Sequence, residues 1–88
     1  MNISNIQYGN VDVVKLPQRL IMENSMAIRK DLLELISSGH HYLVLDLGKV
    51  AFVDSSGLSV LVSALKAAHK TAGQVVLLNL TDDVRALI

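Results

Sequence analysis

Cysteine is absent from this 88-residue chain, and aromatic residues make up only 3% of it. The first absence excludes a disulfide framework and any site built on a thiolate, because both need cysteine sulfur. The second means that Leu, Val, Ile and Ala have to build the core, since 51% of the residues are hydrophobic. The length predicts a single domain over residues 1–88, near the lower size limit for folding without staples.

Excess charge and long apolar runs are also missing. Eight basic and eight acidic residues give a formal net charge of zero, and no basic stripe is present that could follow a nucleic-acid backbone. The first residues lack the charged and apolar regions of a signal peptide. Apolar runs stay far below the ~20 residues that cross a bilayer. We therefore predict a soluble, cytoplasmic domain with no membrane span and no direct contact with nucleic acid.

The sequence patterns of common catalytic sites are absent as well. Neither of two glycine-rich phosphate-binding patterns occurs, the G-x-x-x-x-G-K-[ST] loop and the G-x-G-x-x-G loop. His40, His41 and His69 lack the spacing of a zinc site. The residues before Ser55 lack the first glycine of a nucleophile elbow. A catalytic base would also need a histidine that an acid orients, whereas His40 and His41 lie just after one helix end and His69 lies near the end of the next helix. We therefore expect no cofactor, no metal and no enzymatic activity.

The N-terminal half of the chain predicts a hairpin followed by a helix. Gly9-Asn10 separates two strand-like runs, 3–8 and 11–16, in the manner of a two-residue hairpin turn. Apolar residues then recur at helical spacing, with Asn24 or Ser25 as the predicted N-cap. Gly39 suits the left-handed position that ends this helix.

The rest of the chain predicts buried strands alternating with helices. The runs at 42–47 and 75–80 are almost continuously apolar, which is typical of strands buried on both faces of a parallel sheet. A short strand at 50–53 leads into an amphipathic helix. A third helix is capped at residues 81–83 and has barely begun when the chain stops at Ile88.

This order predicts an α/β fold, namely a small, mostly parallel sheet of four to five strands with an N-terminal β-hairpin and with helices packed on it. The last helix is expected to be truncated, which would expose the part of the sheet that a full helix would cover. Self-association or reduced stability is the expected consequence, and a clean, stable monomer in analytical ultracentrifugation would contradict it.

The turn Asp54-Ser55-Ser56-Gly57 is where the predicted strand meets the second helix. In one interpretation Asp54 or a serine only caps the helix, and Gly57 only permits close packing. In the other, a serine accepts a phosphate or contacts a partner, because a helix N-terminus favours added negative charge. Phosphate would add about −1.5 to −2 charges, which a partner surface would tolerate poorly beside Asp54.

Residues 42–59, YLVLDLGKVAFVDSSGLS, carry a family resemblance. The segment resembles the signature of STAS domains, the sulfate transporter and anti-sigma factor antagonist family, and most closely that of bacterial anti-sigma factor antagonists. The predicted order of strands and helices is similar to that of the family along essentially the whole chain. The resemblance therefore implies a STAS-like fold.

The resemblance also implies a function, which is partner switching. In the family, the antagonist binds a serine kinase that doubles as an anti-sigma factor, phosphorylation of the first serine after the aspartate weakens this binding, and a PP2C-type phosphatase reverses the mark. Here that serine is Ser55, and the kinase-facing patch would contain Asp54, Ser56, Gly57 and Leu58. Nucleotide and magnesium would belong to the kinase.

The chain departs from the family pattern before the first helix. Family members usually have Gly-x-Leu-Asp there, whereas Arg19-Leu20 is followed by Ile21, so the acidic contact is missing or shifted to Glu23. Arg19, Ile21 and Glu23 thus join the predicted partner contacts. The alternative implied by the resemblance is a STAS scaffold that is not phosphorylated, such as a stressosome-like protein or an accessory subunit of lipid transport.

Overall fold

The computed structural model describes residues 3–86, and the predicted hairpin opens it. Strand β1, Ser4–Tyr8, pairs antiparallel with strand β2, Val11–Lys15. Gly9, in the two-residue turn between them, has a φ of 61°, a value that residues with a side chain rarely adopt. The Gly9-Asn10 signal therefore predicted this turn correctly. Met1, Asn2, Leu87 and Ile88 lie outside the described residues, so the predicted truncation of the last helix falls partly outside them.

The remaining elements follow the predicted order, with one short strand, β3, that was not predicted. They are strand β3 Arg19–Leu20, helix α1 Met22–Ser37, strand β4 Tyr42–Asp46, strand β5 Phe52–Val53, helix α2 Ser55–Lys70, strand β6 Gln74–Leu78 and helix α3 Asp82–Arg85. None of the helices within residues 3–86 is long and apolar enough to cross a membrane.

The main sheet has four strands in the order β1-β2-β4-β6. Strands β2, β4 and β6 are parallel, and only β1 is antiparallel to its neighbour. Strands β3 and β5 pair with each other in a separate two-stranded sheet. The predicted α/β fold with a small, mostly parallel sheet is thus confirmed, with four strands in the main sheet.

The core lies between the main sheet and the two long helices. The apolar stripe predicted for α1 is buried, and so are apolar residues of α2 and of the strands beneath them. The buried apolar cluster consists of Ile3, Val14, Leu16, Leu20, Ile28, Leu32, Leu35, Ile36, Leu43, Leu45, Leu47, Val50, Val53, Val60, Leu61, Ala64, Ala68 and Val84. Aliphatic and alanine side chains therefore fill the core, as the scarcity of aromatics predicted.

The prediction that Asn24 or Ser25 caps α1 was wrong. The helix begins at Met22 and its N-cap residue is Ile21, whose side chain has no capping oxygen. Asn24 lies inside the first turn, where its side-chain oxygen accepts the N–H of Ile21 at 3.0 Å and its Nδ2 donates to the carbonyl of Arg19 at 2.7 Å. Asn24 thus fixes the turn into the helix from within.

The prediction that β4 and β6 are buried on both faces was also wrong. Leu43 and Leu45 are buried under the helices, but Tyr42, Val76 and Leu78 on the other face are exposed. The connections from β2 to β4 and from β4 to β6 run in the same direction across the sheet. Right-handed crossovers therefore place α1 and α2 on one side. We call the opposite surface, which no helix within residues 3–86 covers, the helix-free face.

Candidate functional site

Asp54 caps two helices at once. It precedes α2, and its Oδ1 accepts the N–H of Gly57 at 2.9 Å, which is the ordinary N-cap bond. Its Oδ2 accepts the N–H of Met22, the first residue of α1, at 3.0 Å. Because Ile21 cannot cap α1, the carboxylate of Asp54 supplies that cap from 32 residues along the chain. Asp54 thus joins the N-termini of α1 and α2.

These bonds keep Asp54 ionised. The hydrogen bond from Gly57 holds the pKa of Asp54 below its usual value, partial burial opposes this, and the bond from Met22 reinforces it. Donors that bind the charged form favour it over the neutral acid. A fixed negative charge therefore stands directly before Ser55.

Ser55 is exposed at the first position of α2. Ser56 is only half-exposed and lines a groove of about 320 Å³ between α1 and α2, together with Met22, Met26 and Arg29. Ser55 is thus the more accessible hydroxyl of the two. It also lies at the positive end of the α2 dipole, where the fold tolerates added negative charge.

Gly57 is buried where α2 meets strand β3. A Cβ built on it would overlap the carbonyl oxygen of Leu20 and lie 2.7 Å from the carbonyl carbon. The next residue, Leu58, is half-buried and packs against the core. Gly57 and Leu58 therefore hold the start of α2 in place, and their predicted contact with a partner stays a prediction.

The second predicted group of contacts lies at the entry to α1. Arg19 is exposed, and its guanidinium lies 5.8 Å from the ring centroid of Phe52, its partner in the β3–β5 pair. Ile21 is half-buried as the N-cap residue, and Glu23 is exposed in the first turn of the helix. The bond from Met22 to Asp54 brings this group next to the start of α2. Whether Arg19, Ile21 and Glu23 contact a partner stays a prediction.

Three exposed apolar residues lie beside the predicted contacts. Met22 is 68% exposed, Met26 is 84% exposed, and Phe52 is also exposed. The sequence did carry a signal for the methionines, since helical spacing places both away from the stripe that contains Ile28 and Leu32. Exposed methionine side chains adapt to different partner shapes. The surface beside Ser55 is therefore apolar as well as charged.

The histidines lie elsewhere. His40 Nδ1 is 2.9 Å from both carboxylate oxygens of buried Asp12 on β2, and His69 lies in the last turn of α2. Within residues 3–86, no hydrogen bond joins a histidine to Ser55 or Ser56, and no group of three His, Asp or Glu side chains could hold a metal ion. The described site thus offers a capped helix start and an accessible hydroxyl.

The chain matches a known protein family and is similar to several solved structures. A family model for the STAS domain matches residues 2–88. The anti-sigma factor antagonist SpoIIAA in its unphosphorylated form has a TM-score of 0.83 and 20% identity, with 98% of this chain and 80% of that chain covered. The Bacillus cell fate determinant SpoIIAA in its phosphorylated form has a TM-score of 0.82 and 21% identity, with 97% and 78% covered.

A third similar structure comes from Thermotoga maritima, a protein described as a candidate anti-sigma factor antagonist. Its TM-score is 0.88 at 22% identity, and the alignment covers 97% of this chain and 74% of that chain. No curated protein sequence matches the chain significantly. At these identities the structures establish a shared fold.

Proposed function

Because the chain belongs to the STAS domain family, we propose that it is an anti-sigma factor antagonist that works by partner switching. Its unphosphorylated form binds a serine kinase that also acts as an anti-sigma factor. Phosphorylation of Ser55 ends this binding, and a PP2C-type phosphatase restores it. The protein acts in the cytoplasm as a binding module and not as an enzyme.

This proposal rests on the exposed hydroxyl of Ser55, which lies beside a carboxylate whose two oxygens already accept hydrogen bonds. Both oxygens of Asp54 accept hydrogen bonds from the N–H groups of Gly57 and Met22. The carboxylate therefore stays charged and leaves Ser55 accessible. The kinase would transfer the γ-phosphoryl group of ATP to Oγ, and the hydroxyl proton would pass to a base of the kinase. Base, nucleotide and magnesium all belong to the kinase.

The switch follows from the charge that the phosphate adds. A phosphoserine at this position carries about −1.5 to −2 charges, next to the ionised carboxylate of Asp54. The helix N-terminus stabilises that charge within the fold. A partner surface that packs on the exposed Met22 and Phe52 would instead have to desolvate it. The mark therefore weakens binding while the fold persists.

The comparisons support only the part of this proposal that concerns the fold. SpoIIAA in the unphosphorylated and phosphorylated forms matches this chain with TM-scores of 0.83 and 0.82. Both forms of SpoIIAA thus have the fold that this chain shares.

The test of the proposal is phosphate transfer followed by binding. The protein is incubated with ATP, magnesium and a switch-type serine kinase from the same genome, and mass spectrometry locates the phosphate. We expect one phosphate on Ser55, no phosphate on a Ser55→Ala variant, and normal phosphorylation of the matched Ser56→Ala variant. Phosphate on Ser56 alone, or no phosphate with any such kinase, would contradict the proposal.

Binding is measured with the same kinase by calorimetry. Ser55→Asp should bind at least about tenfold more weakly than wild type, equivalent to about 1.4 kcal/mol, while the uncharged Ser55→Asn variant should bind much better than Ser55→Asp. A complex that forms equally well with Ser55→Asp would instead indicate the alternative, a STAS scaffold without a phosphorylation switch.

A further inference from the structure

The helix-free face of the main sheet is strongly apolar. The strand register places Ile6, Val13, Val44 and Val76 side by side, so that every strand contributes a β-branched residue to the central row. Tyr8, Val11 and Tyr42 lie side by side in a neighbouring row, which ends at the polar Gln74 on β6. A face that met only water would carry polar residues at many of these positions.

The edge strand β1 gives an independent indication that this face is covered. All five of its residues are exposed, so helix packing does not determine its sequence. Its apolar residues Ile6 and Tyr8 nevertheless lie on the helix-free face, whereas Asn5 and Gln7 lie on the side of the helices. This alternation of apolar and polar residues is typical of a strand that is buried on the helix-free face.

The area of the face suits a second copy of the chain. Ile6, Tyr8, Tyr42, Val76 and Leu78 are between 42% and 63% exposed. Applied to side chains that present about 150–250 Å² in full, these fractions give roughly 500 Å² of apolar surface. This area lies within the range of about 300–600 Å² for the largest apolar patch on a monomer, and such a patch is often functional. Two such faces would bury about 1,000 Å² of this apolar surface, which is about the smallest total area that a biological interface should reach.

The charges on the face are self-complementary. Within the described strands, the helix-free face carries two charged residues, Lys15 on β2 and Asp46 on β4, which are paired in the register. Strands β2 and β4 are the two central strands. A two-fold axis parallel to the strands would place β2 of one copy over β4 of the other. Lys15 of each copy would then face Asp46 of the second copy.

We propose that the helix-free face is a dimer interface, on which a second copy of this chain packs about a two-fold axis parallel to the strands. The two sheets would pack as an aligned sandwich, with strand directions within about 30° of each other. The interface is isologous, because each copy offers the same patch. Ser55 begins a helix of the opposite layer and stays accessible in the dimer.

Sedimentation equilibrium of the wild-type chain is the primary test, and the expected result is the mass of two chains. Val76→Lys should weaken the dimer at least about tenfold, because it would bury an unpaired charge. Val62→Lys is the matched control, since Val62 on α2 is exposed to 41% and Val76 to 44%. Lys15→Glu should also weaken the dimer, whereas Lys66→Glu on α2 should not.

The proposal is overturned by a wild-type chain that stays monomeric up to about 1 mM, which would leave the face to another segment or protein. A folded Val76→Lys variant that remains dimeric overturns it as well. If circular dichroism shows that Val76→Lys does not fold, amide NMR spectra of the wild-type chain over a dilution series test the interface instead. Shifts confined to the strands of the main sheet support the interface, and shifts confined to α1 and α2 overturn it.

Discussion

The backbone of Gly57 lies directly against the carbonyl group of Leu20. A Cβ on Gly57 would overlap the carbonyl oxygen and lie 2.7 Å from the carbonyl carbon and 3.0 Å from Cγ of the same leucine. Gly57 belongs to the first turn of α2, and Leu20 to the strand that leads into α1. This contact sets how closely the start of α2, and with it Ser55, approaches the entry to α1.

Gly57→Ala should therefore destabilise the protein by about 2 kcal/mol, since the added methyl group meets backbone atoms that cannot rotate away. Urea denaturation gives the free energy of unfolding. Ser59→Ala, an exposed substitution two residues further along α2, is the control and should change stability by less than about 0.5 kcal/mol. If Gly57→Ala and wild type are equally stable, β3 and α2 can move apart without lowering the free energy of unfolding.

The carboxylate of Asp54 should make stability depend on pH in acid. Its pKa is lowered in the folded state, so its contribution is fully present above the unfolded value of about 3.9 and is lost as pH falls through the folded pKa. Urea denaturation of wild type and Asp54→Asn between neutral pH and pH 3 tests this. The stability difference between the two proteins should be constant near neutrality and should shrink below about pH 4.

A difference that does not change with pH would show that the Asp54 charge is immaterial to the two caps. The stability of wild type is compared with that of Asp54→Asn at each pH because a second carboxylate, Asp46, also has a lowered pKa. The hydrogen bonds from Gly48 and Asn79 also lower the pKa of Asp46, with help from nearby Lys15 and Lys49. Its loss of charge therefore destabilises both proteins in the same acidic range, and the comparison cancels it.

Buried Asp12 depends on His40. The Asp12 side chain is 1% exposed, and both of its oxygens lie 2.9 Å from Nδ1 of His40. His40→Ala should cost about 2–4 kcal/mol, because it removes this partner from a buried carboxylate. The double variant Asp12→Val, His40→Ala should recover much of that loss in the same denaturation experiment. If the double variant is less stable than His40→Ala alone, the pair is not the source of the effect.

Ala72 is a site where stability can be gained. It follows α2 with a φ of 60°, a left-handed conformation that costs alanine about 1 kcal/mol. Ala72→Gly should relieve that strain and stabilise the protein by up to about 1 kcal/mol, partly offset by the flexibility of glycine in the unfolded chain. The reverse change at Gly39, which ends α1 with a φ of 104°, should destabilise. Thermal unfolding of Ala72→Gly and Gly39→Ala compares the two.

Local patterns in the sequence predicted most elements of this fold, because their causes are local. The Gly9-Asn10 turn, the apolar stripe of α1 and the two apolar strand runs each depend on residues within a few positions of one another. The cap of α1 could not be predicted in this way. Its oxygen comes from Asp54, and no pattern around Met22 indicates an acceptor 32 residues away.

The exposed face of β4 could not be predicted either, because an apolar run does not tell whether a helix or another molecule covers its second face. At the site, the Asp54-Ser55-Ser56-Gly57 turn identified the helix start and left the choice of cap open. The structure assigns the cap to Asp54, buries Gly57 against Leu20, and leaves Ser55 exposed. Those distinctions depend on tertiary packing.

Ser55→Asp should leave the fold almost as stable as wild type. The added carboxylate lies at the N-terminus of α2, where the helix dipole favours it by about 0.3–1 kcal/mol, while the adjacent charge of Asp54 opposes it. We therefore expect a net change of less than about 1 kcal/mol in urea denaturation, reduced further at high salt. Ser55→Asn, which has the same shape without the charge, is the control. A loss well above that limit in Ser55→Asp alone would mean that a phosphate at Ser55 acts by unfolding the protein, and the weakened binding of such a variant could then not be assigned to its contact with the partner.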